Sequence, residues 1–253
     1  MDLSEVLVVN FAVKERTIEL SEYCIKKLGF SNVVTLQSND GFRQKFLKFV
    51  DIALETNAKC FLRTDADRLL FDGTIDMVTA WFSNQTLQCV EGQCFDFLMN
   101  KYRGATPHLF SREALIKLKE NPGLMPDSQK PESRFIENIT ENKASGWIGI
   151  PALTNLHDYE QYPSKVCNTI VNRISRGHLH YLYDPNYIST LDEKYQIAFA
   201  VAQQYVAENG TKKRMNYLDF SFLDSATEPI DSRDISEKYK SYKLAYKTLI
   251  LNR

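Results

Sequence analysis

The segment KCFLRTDAD, residues 59–67, joins a mostly apolar run to two closely spaced aspartates. Residues 59–63 have the pattern of a short, covered strand, and Asp65 and Asp67 follow it directly. Two like charges at this spacing repel each other, and burial raises the cost. A divalent cation such as Mg²⁺ or Mn²⁺ removes that cost and can bridge the phosphates of a nucleotide. The Asp-x-Asp triplet therefore predicts a metal site at the end of a strand.

Strand and helix patterns alternate on both sides of this segment. The predicted strands cover residues 6–13, 32–36, 59–63 and 87–95, and the predicted helices cover residues 15–28, 42–56 and 75–82. Three consecutive β-then-α units predict an α/β fold with a mostly parallel central sheet. Ligands of such sheets bind beyond the carboxyl ends of the strands, which is where the two aspartates lie.

The pattern loosens after residue 98. Residues 101–104 are predicted as a loop and residues 106–111 and 147–156 as strands, while helices are predicted at 112–119, 131–142, 162–176, 191–208 and 235–251. This division predicts a catalytic domain over residues 1–178 and a mostly helical C-terminal extension over residues 179–253, packed on it.

Composition and charge narrow the class of protein. The net charge of −1 disfavours a nucleic-acid binder, and the five cysteines show no metal-binding or disulfide spacing, so we expect reduced, buried thiols. The sequence has no run of about 18 apolar residues and no recognisable signal peptide. A cytoplasmic location is expected. The terminal helix, with its lysines and tyrosines, leaves peripheral membrane contact open as the alternative to a solvated face.

Four segments in order resemble the A-type, metal-dependent glycosyltransferases, and more loosely the family-2-like members. They are CFLRTDADRLLFDG at 60–73, KYRGATPHLFSREAL at 101–115, KPES at 130–133 and LHDYEQY at 156–162. The resemblance covers about residues 6–176. It implies a Rossmann-like nucleotide-diphospho-sugar transferase fold of the GT-A type with a helical C-terminal appendage. The implied activity moves a sugar from a nucleoside diphosphate to a hydroxyl of a glycan, lipid or protein.

The resemblance also implies roles for the metal residues. Asp67 would bind Mn²⁺ or Mg²⁺ directly, and Asp65 would contact the metal, its bound water or the ribose. His157 would complete the metal shell, which suits an imidazole beside oxygen ligands. The alternative is that His157 is a polar residue at the end of a strand.

Glu132, at the start of a predicted helix, is the implied catalytic base of an inverting transfer. The alternative is an ordinary first-turn acid that the helix dipole favours. Glu137 and Asp127 are the second and third candidates. If the enzyme retains configuration, Glu132 loses this role.

The donor nucleotide is expected at the ends of the first strands. Asn10, Phe11 and Glu15 lie at the end of the first strand, Asp40 follows the second, and Arg63 precedes the Asp-x-Asp triplet. UDP is the favoured nucleotide, with GDP and dTDP open.

A second group is expected to meet the acceptor or the diphosphate. Lys101, Tyr102, Arg103 and His108 offer a stacking ring and phosphate-binding cations. A solvated loop explains the same residues nearly as well.

Three other functions remain open on sequence grounds. A sugar-nucleotide nucleotidyltransferase would carry a glycine-rich loop after the first strand, yet residues 10–17 contain no glycine. A dehalogenase-like phosphatase would carry its Asp-x-Asp on the first strand rather than the third. A non-catalytic protein of the same fold, which binds a sugar or serves as a scaffold, would bind neither metal nor nucleotide.

Overall fold

The computed structural model describes residues 1–128, 130–175, 184–210, 218–225 and 227–251. Within these ranges the strands are β1 Val6–Ala12, β2 Val33–Gln37, β3 Cys60–Asp65, β4 Arg68–Leu70, β5 Cys89–Asp96, β6 Lys101–Ser111 and β7 Trp147–His157. The helices are α1 Ile18–Lys27, α2 Phe42–Glu55, α3 Gly73–Ser83, α4 Arg112–Glu120, α5 Pro131–Ile139, α6 Pro163–Ser175, α7 Pro185–Ile188, α8 Glu193–Asn209 and α9 Ile235–Leu251.

The strands form a seven-stranded sheet in the order β2-β1-β3-β6-β5-β7-β4. β1 is parallel to β2 and to β3, and β5 is parallel to β7. β6 is antiparallel to both of its neighbours, and β4 is antiparallel to β7. Five strands thus share one direction, and the predicted α/β class with a mostly parallel sheet is confirmed. β1 is buried along its whole length, as expected of a strand that is covered on both faces.

Two apolar layers sandwich the sheet. On one face, side chains of β1, β3 and β6 pack against α2, α4 and α5, with Phe46, Phe49, Phe110 and Phe135 at the centre. On the other face, Val6, Val8 and Leu62 pack against α1 and α3. The five cysteines are free and buried, in agreement with the expectation from their spacing.

The C-terminal part adds helices at two places. α6 and α8 pack on each other and form an apolar cluster of their own that includes Leu98 of the β5–β6 connection. α9 lies against α1 and the end of the sheet. There Tyr246 donates a hydrogen bond to the carbonyl of Leu153 (2.6 Å) and accepts one from the backbone N–H of Gly73 (3.0 Å). The predicted boundary at residues 178 and 179 lies outside the described residues.

One local prediction is wrong. Residues 101–104 are not a loop: they open β6, which pairs with β5 from Asp96↔Lys101 onward after a 3-10 turn at Phe97–Met99. A long neighbouring strand supplies hydrogen-bond partners that override the weak local pattern. After the Asp-x-Asp turn, β4 forms a separate edge strand on β7, with Arg68 opposite His157. This pairing brings the late histidine to the aspartates.

None of the helices in the described ranges has both the length and the apolar character needed to cross a membrane.

Candidate functional site

The Asp-x-Asp turn is fixed by backbone contacts from three directions. The N–H of Ala66 donates to the carbonyl of Phe11 at the end of β1 (2.8 Å), and the hydroxyl of Thr17 donates to the carbonyl of Ala66 (2.5 Å). The N–H of Asp158 donates to the carbonyl of Asp67 (3.0 Å). The turn is therefore rigidly placed between the first strand, the start of α1 and the end of β7.

A group of potential metal ligands forms at this point. One ligand atom each from Asp67, His157 and Asp158 lie within 4.8 Å of one another. His157 Nε2 is 3.7 Å from Asp67 Oδ1. This distance is too long for a hydrogen bond. Ligands of one Mg²⁺ lie about 2.1 Å from the ion, so two of them are separated by about 3–4 Å.

The oxygen of Asp67 that faces this gap fits a cation. Asp67 Oδ1 is buried and has no hydrogen-bond partner within the described part of the chain. A buried carboxylate oxygen without a partner carries a large desolvation cost, which a divalent ion would remove. Two carboxylates and an imidazole are a donor set that suits Mn²⁺ or Mg²⁺. The residues present therefore fit the implied metal.

Electrostatics keep Asp67 ionised. Burial opposes its charge, but the positive charges of His157, Lys165 and Arg68 outweigh burial and lower its pKa to about 2. The neighbouring carboxyl behaves differently. Burial, together with the negative charges of Asp67 and Asp96, raises the pKa of Asp158 although His157 and Arg173 oppose the rise. Asp158 also has a φ of +63°, a left-handed conformation that is uncommon for an aspartate.

Asp65 occupies a different position from Asp67. It forms an ion pair with Arg63 and a longer one with Arg68 (Nε to Oδ2, 3.5 Å). Its carboxylate lines the cavity described below, and it is not a member of the Asp67–His157–Asp158 group. The predicted metal contact of Asp65 stays a prediction.

Arg63 links the metal motif to the predicted base. Its guanidinium is buried, stacks within 5 Å of the ring centroids of Phe11 and Phe42, and pairs with Glu132 as well as with Asp65. The Arg63 Nη1 to Glu132 Oε2 distance is 3.0 Å. Because a buried guanidinium needs compensating charge, these two carboxylates lie on either side of it.

Glu132 begins α5 and is held by two basic groups. Besides Arg63, His108 Nδ1 lies 3.0 Å from its Oε1. Burial opposes the charge of Glu132, but Arg63 and His108 outweigh it and lower its pKa to about 2. The carboxylate is therefore ionised at neutral pH.

A cavity of about 1080 Å³ collects most of the predicted residues. Its lining includes Phe11, Glu15, Asp40, Arg63, Asp65, Asp67 and Glu132. These side chains come from the carboxyl ends of β1, β2 and β3 and from the start of α5, which is where ligands of such sheets bind. All the predicted donor residues except Asn10 thus share one space with the predicted base.

Six of the predicted residues do not line this cavity: His157 and His108, whose contacts are given above, and four others. Asn10 is fully buried on β1. Tyr102 donates to the carbonyl of Leu249 in α9 (2.9 Å), so its hydroxyl is engaged away from the cavity. Arg103 pairs with Asp96 behind His157, and Lys101 is exposed at the start of β6. The acceptor role predicted for these strand residues stays a prediction.

Sequence reasoning missed two lysines at the cavity. Lys45 of α2 donates to the carbonyl of Ala12 (3.0 Å), and burial lowers its pKa. Lys165 of α6 lies 3.2 Å from Glu15 Oε1 and 3.8 Å from Asp67 Oδ2. A lysine one turn into a late helix has no sequence signal that distinguishes it from a solvated one, so only the packing of α6 could reveal it.

No protein family matches the sequence, and no curated protein matches it. Solved structures with a similar course of the chain include a glycosyltransferase involved in the glycosylation of the major capsid of PBCV-1, with 12% identity over 60% of this chain and 93% of that one (TM-score 0.41). A cytidylyltransferase from Leptospira borgpetersenii has 14% identity over 85% of this chain and 99% of that one (TM-score 0.40). TarS of S. aureus, residues 1–349, has 11% identity over 81% of this chain and 74% of that one (TM-score 0.43).

The fold class is α/β with a mostly parallel sheet, as the order and direction of the described strands show. The similarities to solved structures concern the course of the chain alone.

Proposed function

We propose that the protein is a metal-dependent glycosyltransferase that moves a sugar from a nucleoside diphosphate to a hydroxyl acceptor. The observation that supports this proposal is that Asp67 and Glu132 line one cavity together with Arg63 and Lys165. Oδ1 of Asp67 is buried and has no hydrogen-bond partner among the described residues. Acidic metal ligands and nearby cations suit a diphosphate bound through a metal.

The side chains at the cavity would have separate roles in this transfer. Asp67, His157 and Asp158 would hold Mn²⁺ or Mg²⁺, which neutralises the leaving diphosphate when bound. Lys165, beside Asp67, is placed to contact phosphate oxygens, and Phe11 offers a ring to the nucleotide. Since UDP, GDP and dTDP share the diphosphate, these contacts leave the base open, with UDP favoured.

Glu132 would activate the acceptor. In an inverting transfer, the acceptor oxygen forms the new bond to the anomeric carbon, the bond from that carbon to the diphosphate oxygen breaks, and Glu132 takes the hydroxyl proton. The contacts of Glu132 with Arg63 and His108 keep it ionised but make it a weak base, so we expect its proton transfer to accompany bond formation. The acceptor is a hydroxyl of a glycan, lipid or protein.

One observation disfavours the nucleotidyltransferase alternative. Glu15, in the connection from β1 to α1, accepts a hydrogen bond from the N–H of Val13 (2.5 Å) and lines the cavity. Residues 10–17 contain no glycine, so this connection carries the Glu15–Lys165 ion pair and lacks the glycine-rich loop with which such enzymes bind a triphosphate after the first strand.

The test is calorimetry with UDP, GDP and dTDP, with and without Mn²⁺. We expect one nucleotide to bind in a metal-dependent manner and Asp67→Ala to abolish that dependence. Asp72→Ala is the control, because Asp72 is exposed and its carboxylate lies 3.6 Å from Lys243 on α9, away from the cavity. Equal binding by Asp67→Ala and the wild type would refute the metal assignment.

The base is tested separately. Glu132→Gln should keep nucleotide binding and lose transfer to an acceptor. Glu137→Gln on the same helix should keep both, because Glu137 pairs only with Arg134 in the described structure (2.7 Å) and does not line the cavity. Transfer by Glu132→Gln at the wild-type rate would place the base elsewhere. The cytoplasmic location and peripheral membrane contact stay predictions.

A further inference from the structure

Asp96 is a fully buried carboxylate that neither the Asp-x-Asp motif nor the cavity includes. It is the last residue of β5 and has no exposed surface. Its Oδ2 lies 3.0 Å from His157 Nδ1, and its carboxylate also accepts hydrogen bonds from the side chains of Arg103 and Arg173. Burial of an aspartate with this many partners indicates a role that a solvated residue cannot fill.

The contacts of His157 Nδ1 decide which ring nitrogen carries the proton. Asp96 Oδ2 at 3.0 Å and Asp158 Oδ2 at 3.4 Å both face Nδ1 and can only accept when ionised. Arg103 Nη2 lies farther than Asp96, at 3.2 Å, and could donate to an unprotonated Nδ1. A bare Nδ1 would place its lone pair against the nearest carboxylate, so a protonated Nδ1 that donates to Asp96 is favoured.

The tautomer at Nδ1 determines what Nε2 can do. When Nδ1 carries the proton of a neutral imidazole, Nε2 keeps its lone pair and can bind a cation. Nε2 points toward Asp67 Oδ1, 3.7 Å away, the same oxygen that has no hydrogen-bond partner within the described ranges. A proton on Nε2 would occupy that gap instead.

We propose that Asp96 is a positioning residue for the divalent cation of this site: through Nδ1 of His157 it holds Nε2 unprotonated and aimed at Asp67. This inference rests on the metal site of the proposed function and deepens it. Asp96 does not touch the cation, the nucleotide or the sugar.

Arg103 and Arg173 compensate the negative charge of this arrangement. Asp67, Asp96 and Asp158 place three carboxylates around one imidazole. Arg173 Nη2 bridges two of them, at 2.8 Å from Asp96 Oδ2 and 3.2 Å from Asp158 Oδ2. Arg103 adds a second cation at Asp96, with its Nη2 2.9 Å from Oδ2. The guanidiniums neutralise Asp96 and the Oδ2 atom of Asp158 on the Nδ1 side of His157, so the charge of Asp67 and the other oxygen of Asp158 remain for the cation.

The first test reads the tautomer of the metal-free wild-type protein. Two-bond ¹H–¹⁵N correlation spectra distinguish the two neutral imidazole tautomers, and His157→Gln identifies the signals of His157 among the four histidines. We expect the proton on Nδ1. The spectra are recorded over a pH series, because the surrounding carboxylates favour the doubly protonated ring at low pH and the proposal concerns the neutral ring that binds a cation. A neutral His157 with its proton on Nε2, or a ring that keeps both protons to the alkaline end of the series and in the presence of Mn²⁺, would overturn the proposal. This measurement does not depend on any variant of Asp96.

The second test replaces the carboxylate. Asp96→Asn offers Nδ1 an amide that can donate as well as accept, so the tautomer preference should be lost. Mn²⁺ affinity, measured without nucleotide by electron paramagnetic resonance, should fall about 10- to 100-fold, as for other residues that orient a metal-binding histidine. A Kd within twofold of wild type in a folded Asp96→Asn protein would refute the proposal.

Arg103→Met is the matched control, because it removes the competing donor to Nδ1 and leaves Asp96 in place. We expect it to retain the Nδ1–H tautomer; a switch to Nε2–H would assign the orientation of the ring to Arg103 instead.

Failure of the proposed function would give a different result. If the wild type binds Mn²⁺ with the expected tautomer but no nucleotide diphosphate, the glycosyltransferase proposal fails and the positioning role of Asp96 stands.

Discussion

Replacing Glu132 with glutamine should remove a pH-dependent part of the stability of this protein. The pKa of Glu132 falls from the ordinary 4.5 to about 2 on folding, against the opposing effect of burial, because Arg63 and His108 hold the carboxylate in its ionised form. That fall corresponds to about 3 kcal/mol of stability. Because the folded pKa is the lower one, this contribution is complete well above pH 4.5 and is lost as the pH falls toward 2. Glutamine cannot titrate, so the variant lacks this dependence.

The measurement is urea unfolding of the wild type and of Glu132→Gln between pH 7 and pH 2.5. The difference in unfolding free energy between them should be about 3 kcal/mol at pH 7 and about 1 kcal/mol near pH 3. Glu137→Gln is the control on the same helix, and its partly exposed pair with Arg134 should contribute less than about 1 kcal/mol at any pH. A gap between wild type and Glu132→Gln that stays constant over this range would refute the ion-pair account.

Two further predictions concern the packing of α3 and α9 on the sheet. A Cβ on Gly73 would lie 2.1 Å from the carbonyl oxygen of Leu153, so Gly73→Ala should lower the free energy of unfolding in urea by about 1–3 kcal/mol. Gly41→Ala is the control: its Cβ meets only the flexible end of Gln44, so it should cost less than about 1 kcal/mol. Equal effects of the two substitutions would contradict this prediction. Tyr246→Phe removes the hydroxyl that forms hydrogen bonds with Leu153 and Gly73. We expect the free energy of unfolding to fall by about 1–3 kcal/mol and the amides of α9 to exchange faster with solvent. Unchanged exchange in α9 would show that other contacts hold this helix.

Arg63 contributes both to the stability of the fold and to the proposed active site. It is among the largest fully buried side chains, and it pairs with Asp65 of the Asp-x-Asp turn and with Glu132 at the start of α5. A buried cation needs both partners, since removal of either leaves charge uncompensated in a region of low dielectric. The positions of the Asp-x-Asp turn and of the start of α5 therefore depend on the same guanidinium.

Much of the fold follows from local sequence pattern. Three features depend only on residues that are near each other in sequence: the apolar run of β1, the amphipathic helix α2 and the abrupt change from an apolar strand to Asp65 and Asp67. The order of β and α elements and the position of the Asp-x-Asp turn could therefore be predicted from the sequence. The donor side of the cavity followed from these, because parallel strands bring their carboxyl ends to one edge.

What the sequence determined by itself is thus the α/β class and the position of Asp67 at a strand end. Only the tertiary structure decided which residues complete the site. β4 pairs with β7 and brings His157 and Asp158 to Asp67, and β5 ends at Asp96 directly behind the imidazole. These contacts join residues about 60 to 90 positions apart. Local pattern does not encode them, because strand pairing and the neutralisation of buried charge depend on the whole packed sheet.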